Sequence, residues 1–376
     1  MPPTLCLVYD AIAQGYGSIP QLILAQARRA LERGWRVTCV CQHLEPDLRG
    51  EVEHIPLHVP RRVFAFQWLC ARRLIRAALA ERRFDVLHVF QAQVADLSDV
   101  MQCCFLTRAA WEHGGVAPGQ GMRGQSNRAQ LRMVMEAEDR YFCRVGANAY
   151  KSNRTRMLFC SDLLRDEFTR LYGATSHSQV MVLPCPPADF PSIEERQNAR
   201  RGLAGDPKQL VVGYLGGVDE RKGFKRLVKA LENAPDLFLL WGGPHSQGVR
   251  LPSLDGRSRS LGMVRDVARF YAACDVFLVP SLFEPLGFVA TEAAARGVPV
   301  LATEEVGALP YLLKAGAGNA WDLAQPLPLQ VRAMNAHRAQ FNAGALRLCQ
   351  TLGEEEYAAR MFALYQGILE EKARQT

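Results

Sequence analysis

The sequence predicts an α/β protein of two domains. Three observations carry that expectation. The 376 residues suit two domains of ordinary size. Apolar strand-like runs alternate with helical patterns in both halves, beginning with a strand, glycine turn, helix and strand over residues 4–41. A stiff, proline-dense stretch, Pro184–Pro191 (PCPPADFP), followed by polar residues to about Lys208, separates the two series as a linker. The expected boundaries are 1–190 for the first domain, 205–350 for the second and 351–376 for a C-terminal helix.

Composition bounds the function. Hydrophobic residues make up 48% of the chain, enough for large cores. The net charge of +7 is modest for this length and gives no reason to expect a nucleic-acid partner. Its most concentrated part is Arg61–Arg83, with seven Arg and one Glu. That stretch suits an anionic surface or an acidic substrate, including peripheral contact with a membrane; a solvated helix face is the alternative. Eleven Cys occur without a CxxC, which points to reduced, buried thiols in a cytosolic protein. Residues 1–9 lack the basic start of a signal peptide, and no run approaches the roughly 18–20 apolar residues of a membrane span. No acid cluster suggests a metal.

In the first domain, Thr4–Tyr9 is a strand, and Gly15-Tyr16-Gly17 turns it into a long amphipathic helix reaching about Arg33. Gly34 closes that helix before a strand over Trp35–Cys41. This glycine turn is a fragment of a dinucleotide fingerprint or simply a tight turn. Val52–Val59 is a strand, and Phe64–Glu81 a helix that either rests on a bilayer or packs on the sheet. FDVLHVF, Phe84–Phe90, is a strand ending in His88 and Gln91, at the end of the sheet where α/β proteins bind ligands. Asp99–Gly124 reads as an irregular glycine-rich loop or lid carrying His113. A helix over Asn127–Val145, a strand over Met157–Ser161, a helix from Asp162 to about Tyr172 and a strand over Val180–Leu183 complete the domain.

The second domain opens with a strand, Leu210–Leu215, then Gly216–Gly223 (GGVDERKG) and a helix over Phe224–Glu232. A glycine turn with adjacent cations ahead of a helix is a phosphate trap, built of backbone N–H groups and point charges; an exposed basic turn is the plainer alternative. Leu237–Trp241 is a strand, and Gly262–Arg265 precedes a helix over Val267–Ala273. Asp275–Thr303 (DVFLVPSLFEPLGFVATEAAARGVPVLAT) reads as strand, loop, helix and strand. Glu284 lies in its loop and Glu292 in its helix, on the order of 10 Å apart. That suits an extended ligand better than a hydrolytic acid/base pair. The helix N-terminus between them, near Leu286, Gly287 and Phe288, favours anionic oxygens. Two further helices, about Leu329–Leu352 and Glu354–Lys372, close the chain.

E-PLGFVAT-E, set between VPSLF and AAARGVPVLAT, resembles the Glu, seven residues, Glu signature of retaining nucleotide-sugar glycosyltransferases of family 4. Those proteins have the GT-B fold, so the resemblance implies two Rossmann-like, doubly wound domains facing a cleft, with a C-terminal helix crossing back to the first. Arg221, Lys222, Gly223 and Arg226 resemble the subgroup containing lipopolysaccharide-core glucosyltransferases. By this resemblance Lys222 and Arg221 hold the donor diphosphate, with Leu286, Gly287 and Phe288 offering amides. Glu284 holds sugar hydroxyls and Glu292 the ribose. Val264 and Arg265 present backbone to the base, His113 approaches the reacting sugar, and Gly17 lies near the diphosphate and acceptor. Gly217 stands where the family usually has Arg, Pro186-Pro187 where it has Asn-Gly, and Tyr311 where it has an acid.

The implied activity is metal-independent, retaining transfer from a nucleotide-diphosphate sugar, in particular a UDP-sugar, with that nucleotide sugar as co-substrate and no cofactor. The acceptor is a glycan or a lipid-linked glycan in envelope or lipopolysaccharide synthesis, in the cytoplasm or at the inner membrane face. A nucleotide-sugar epimerase or phosphorylase of the same fold is the rival enzyme reading. A non-catalytic glycosyltransferase-like binding protein is the third, suggested by the three departures.

Overall fold

The computed structural model describes residues 1–59, 64–90, 92–114, 132, 135–137, 139–140, 155–175, 177–204, 209–244, 246–254 and 256–375, with no side-chain description at 64–69, 92 and 93. The chain forms two compact units. Unit 1 comprises Met1–Arg108, Met122–Val182 and Glu355–Thr376; unit 2 comprises Ala109–Gly121 and Leu183–Glu354.

Unit 1 is built on β1 (Thr4–Val8), β2 (Ala11–Ile12), α1 (Ser18–Glu32), β3 (Arg36–Cys41), β4 (His43–Leu44), β5 (Glu53–Pro56), α2 (Phe64–Leu79), β6 (Val86–Val89), β7 (Val100–Cys103), the start of α3 (Thr107–Glu112, whose residues from Ala109 on belong to unit 2), β8 (Arg156–Phe159), α4 (Asp162–Tyr172) and β9 (Ser178–Val180). Seven strands form a parallel sheet in the order β5-β3-β1-β6-β7-β8-β9, and β2 pairs with β4 beside it. The central strands β1, β6 and β7 are buried along nearly their whole length, as helices covering both faces of a parallel sheet require. Leu5, Cys6, Leu7 and Val8 are all fully buried. On α2, Ile75 and Leu79 are buried, while Arg72 and Arg76 pair with Asp96 at 3.3 and 2.9 Å. The face of this helix that carries Ile75 and Leu79 therefore packs inward. The aromatic side chains Phe64, Phe66 and Trp68, and Arg61 and Arg62, lie outside the described residues.

The span 99–124, expected to be irregular, contains β7 and α3, because Val100–Cys103 pairs with β6 and β8. Of its glycine-rich part only His113 and Gly114 are described, and most of the expected helix at 127–145 falls outside the described residues.

Unit 2 contains α5 (Ile193–Leu203), β10 (Leu210–Leu215), α6 (Phe224–Glu232), β11 (Leu237–Gly242), β12 (Ser258–Ser260), α7 (Val267–Ala273), β13 (Val276–Val279), α8 (Phe288–Ala295), β14 (Val300–Ala302), α9 (Leu309–Ala315), β15 (Gly318–Ala320), α10 (Leu327–Ala336) and α11 (Arg338–Thr351). Its parallel sheet has the order β12-β11-β10-β13-β14-β15. Counted along the chain this is 3-2-1-4-5-6, the doubly wound Rossmann order.

Two elements differ from expectation. Helix α5 occupies what read as linker. Ser192 starts it with a reciprocal capping box, its hydroxyl accepting from Glu195 N at 3.2 Å while the Glu195 carboxylate accepts from Ser192 N at 2.7 Å. The expected single helix at 329–352 is two helices, α10 and α11, parted at His337.

Helix α12 (Glu354–Gln375) returns to unit 1. Its Tyr365 is fully buried, with its hydroxyl 2.6 Å from His88 Nδ1 and also bonded by the Gln26 amide. Gln26 Nε2 lies 3.2 Å from the same ring nitrogen. Burial pulls the His88 pKa down to about 3, so the ring is neutral. His88 is thus a core residue under α12 and not a ligand group at the strand end. Gln91, its expected neighbour in that role, lies outside the described residues.

Candidate active site

The order of the unit 2 sheet reverses at β10, where the chain proceeds outward first through β11 and then through β13. Open α/β sheets bind ligands outside the carboxyl ends of the strands at such a point. Here two loops meet: residues 216–223 after β10 and residues 280–287 after β13. Leu282 N donates to Arg221 O at 2.7 Å, which ties them. Gly223 makes the approach possible. It sits at φ +68°, and a Cβ there would lie 1.8 Å from Pro280 O.

Glu284 is the centre of the charged cluster. Lys222 Nζ forms an ion pair with its Oε2, and Arg221 Nη1 lies 3.4 Å from the same oxygen. Arg221 is almost wholly buried and donates to Phe283 O at 2.9 Å, so it braces the loop. Lys222 keeps more of its side chain in solvent, 22% against 7% for Arg221, and is the cation better placed to meet a ligand. Burial pushes the Glu284 carboxyl up, but the charges of Lys222 and Arg221 outweigh it and hold the pKa below the usual glutamate range. The local backbone is equally fixed: Glu284 N donates to Glu305 O at 2.9 Å and Gly307 N to Glu284 O at 2.9 Å. Asp219 accepts from Lys222 N at 3.1 Å, and the Tyr214 hydroxyl donates to Gly217 O at 2.5 Å. The turn is thus held in place by its own hydrogen bonds.

Gly287, at φ 90°, starts α8, with Leu286 buried before it and Phe288 as the first helical residue. Glu292 lies one turn further along. Burial raises its pKa, offset in part by the Tyr271 hydroxyl 3.3 Å from Oε2. A carboxyl whose folded pKa is raised stabilises the fold only while protonated and costs stability once pH rises through that pKa. Glu292→Gln should therefore raise Tm at neutral pH and leave it unchanged below about pH 4, near the ordinary glutamate pKa; thermal melts across that range check this.

Val264 also reaches this end of the sheet: a Cβ on Gly242 would lie 2.5 Å from Val264 Cγ2. Gly216 N donates to Gly242 O at 3.0 Å and Gly243 N to Gly262 O at 2.8 Å, so the turns after β10, β11 and β12 adjoin. Arg265 is exposed just before Asp266, the N-cap of α7. Gly217 lies in the first turn, where Asp219 Oδ2 would be 2.6 Å from an added Cβ. The His113 ring stacks on Phe283 with centroids 5.2 Å apart and planes at 10°, and Gly114 faces the Glu220 side chain. The structure therefore brings Arg221, Lys222, Glu284 and His113 into one neighbourhood, with Gly287 joined through the same loop. Gly17 belongs to unit 1, where it caps α1 at φ 110°. Sequence reading missed Tyr214, Asp219, Tyr271 and Phe283. Asp219, three residues before Lys222, carried a turn-forming signal; the others are aromatic residues whose contacts arise from the fold.

Residues 209–326 match the family described as glycosyl transferases group 1. The D-inositol 3-phosphate glycosyltransferase of Actinosynnema mirum is 36% identical over 196 residues, covering 46% of this chain and 46% of that protein. The chain thus spans about half the length of the curated relatives it matches. Among solved structures, WaaG, a glycosyltransferase involved in lipopolysaccharide biosynthesis, aligns with a TM-score of 0.68 at 18% identity, covering 96% of this chain and 98% of that one. Anabaena Alr3699/HepE, solved in complex with UDP and glucose, aligns with a TM-score of 0.65 at 16% identity over 99% of each chain. The two loops just described lie inside the matched segment, and residues 209–326 are accordingly a glycosyl transferases group 1 domain in a chain with the GT-B fold.

Proposed function

We propose that the chain is a retaining glycosyltransferase that moves a sugar from a UDP-sugar to a glycan or lipid-linked glycan. The observation that carries the reading is the Lys222–Glu284 pair at the switch point of the unit 2 sheet, beside the start of α8. A nucleotide diphosphate there meets Lys222 and the amides near Gly287. Charge accumulates on the departing diphosphate in the transition state, so a fixed cation and fixed N–H groups stabilise that state more than the ground state. Lys222 exchanges part of its contact with Glu284 for the phosphate, and the freed carboxylate oxygen accepts from a sugar hydroxyl. Glu292 accepts from the ribose hydroxyls, and the turns carrying Val264 and Arg265 border the base. His113 lies on the sugar side, against Phe283.

UDP as the nucleotude carrier is supported by HepE, whose structure holds UDP and glucose. Relatives named for inositol phosphate and a neighbour named for lipopolysaccharide synthesis leave a hydroxyl-bearing acceptor as the shared chemistry. We favour a lipopolysaccharide or other envelope glycan assembled in the cytoplasm, with the chain's own groups sufficient for transfer. No described helix is long and apolar enough to cross a membrane.

The test is proton NMR of the full chain with UDP-glucose, UDP-galactose and UDP-N-acetylglucosamine, with and without a core-oligosaccharide acceptor. The expected result is release of UDP with formation of an α-linked product from an α-linked donor. A β-linked product would overturn retention; absence of any nucleotide release would favour a binding role.

A further inference from the structure

We infer that Cys185 and Cys349 form a reversible disulfide, an oxidative modification site at the place where the chain enters and leaves unit 2. Cys185 lies two residues after Leu183, where unit 2 resumes, and Cys349 five residues before Glu354, where it ends. The two sulfurs are 3.5 Å apart and hydrogen-bonded. The backbones are already joined beside them, Cys185 N donating to Leu352 O at 2.6 Å. A disulfide bond of about 2.05 Å needs an approach of roughly 1.5 Å, within reach of side-chain rotation and small backbone shifts.

The two thiols differ in a way that sets the order of events. Cys349 is half-buried near the end of α11, whereas Cys185 is buried behind it. The contact between the two sulfurs lowers the Cys349 pKa and, together with burial, raises that of Cys185. Cys349 is thus both the more accessible and the better nucleophile. Its thiolate attacks one sulfur of a low-molecular-weight disulfide such as oxidised glutathione and expels one glutathione thiolate. Cys185 then gives up its proton to that thiolate and attacks the Cys349 sulfur of the mixed disulfide, expelling the second glutathione as a thiolate that takes a proton from solvent. Two protein thiols lose two electrons and two protons, and one small disulfide becomes two thiols. Excess thiol reverses both steps.

The closed ring would run from residue 185 to residue 349 and enclose nearly all of unit 2. Cys185 Sγ also lies 3.6 Å from Thr291 O, so the disulfide would form against the turn of α8 that carries Glu292. The modification itself does not depend on the proposed activity.

The experiment exposes the reduced full chain to oxidised glutathione, blocks remaining thiols by alkylation and maps peptides without reduction. A peptide containing Cys185 joined to one containing Cys349 is expected, with the mass lower by two hydrogens, a Tm higher by several degrees and full reversal by dithiothreitol. Cys185→Ser should stop at a glutathione adduct on Cys349. A stable adduct on Cys349 in the unmutated chain, or both thiols still open to alkylation, overturns the inference; the unmutated chain alone decides it if the variant fails to fold.

Discussion

Lys222→Ala should lower turnover by about 10²–10³-fold, the effect of removing one preorganised donor from a developing negative charge. The side chain is fixed from two directions: Asp219 holds its backbone N–H, and Glu284 holds its ammonium. Arg221 does not replace it, because that guanidinium is buried and spent on Phe283 O and Glu284. The substitution also leaves a buried carboxylate with one cation in place of two, which costs stability as well. The double variant Lys222→Ala/Glu284→Gln separates the effects. It should recover Tm toward that of the unmutated protein while turnover stays low. Steady-state kinetics of nucleotide release and thermal melts on the same samples provide both readings.

Gly223→Ala should destabilise the protein by about 3 kcal/mol or more, among the largest effects of any single methyl group added here. Two costs combine. An alanine at φ +68° is strained, and its Cβ would lie 1.8 Å from Pro280 O and 2.6 Å from Pro280 C. The obstacle is backbone, so no rotamer change relieves it, and the loops carrying Lys222 and Glu284 must part. Gly15→Ala is the control. Gly15 also has a positive φ, +79°, but nothing lies within 4 Å of an added Cβ, so only strain of about 1 kcal/mol remains. Urea unfolding midpoints of the two variants measure the difference; equal losses would show that the close approach to Pro280 carries no energy.

The candidate site was legible because its signals are local. Asp275–Thr303 alternates strand, loop, helix and strand within one short stretch, and its glycines mark positions where the backbone needs positive φ, as Gly287 and Gly297 do. Gly223 and its cations likewise read directly from sequence. What the letters do not show is who partners whom. Glu284 read as a sugar-binding acid; in the folded chain it also holds Lys222 and Arg221 together. His88, at the end of its strand, read either as a group facing a ligand or as a structural histidine; α12, from the far end of the chain, covers it with Tyr365 and makes it the latter. Helix α5 was hidden by the prolines before it, although Ser192 and Glu195 carried the capping-box spacing. The meeting of Cys185 with Cys349 depends on contacts 164 residues apart and has no local signature at all.

The central claim, that residues 216–223 and 284–287 hold a nucleotide diphosphate, is tested most directly by calorimetric titration of UDP and of uridine into the unmutated chain and Lys222→Ala. The account predicts UDP affinity falling at least tenfold in the variant, about 1.4 kcal/mol, with uridine binding unchanged. Equal UDP affinity in the two proteins would contradict it.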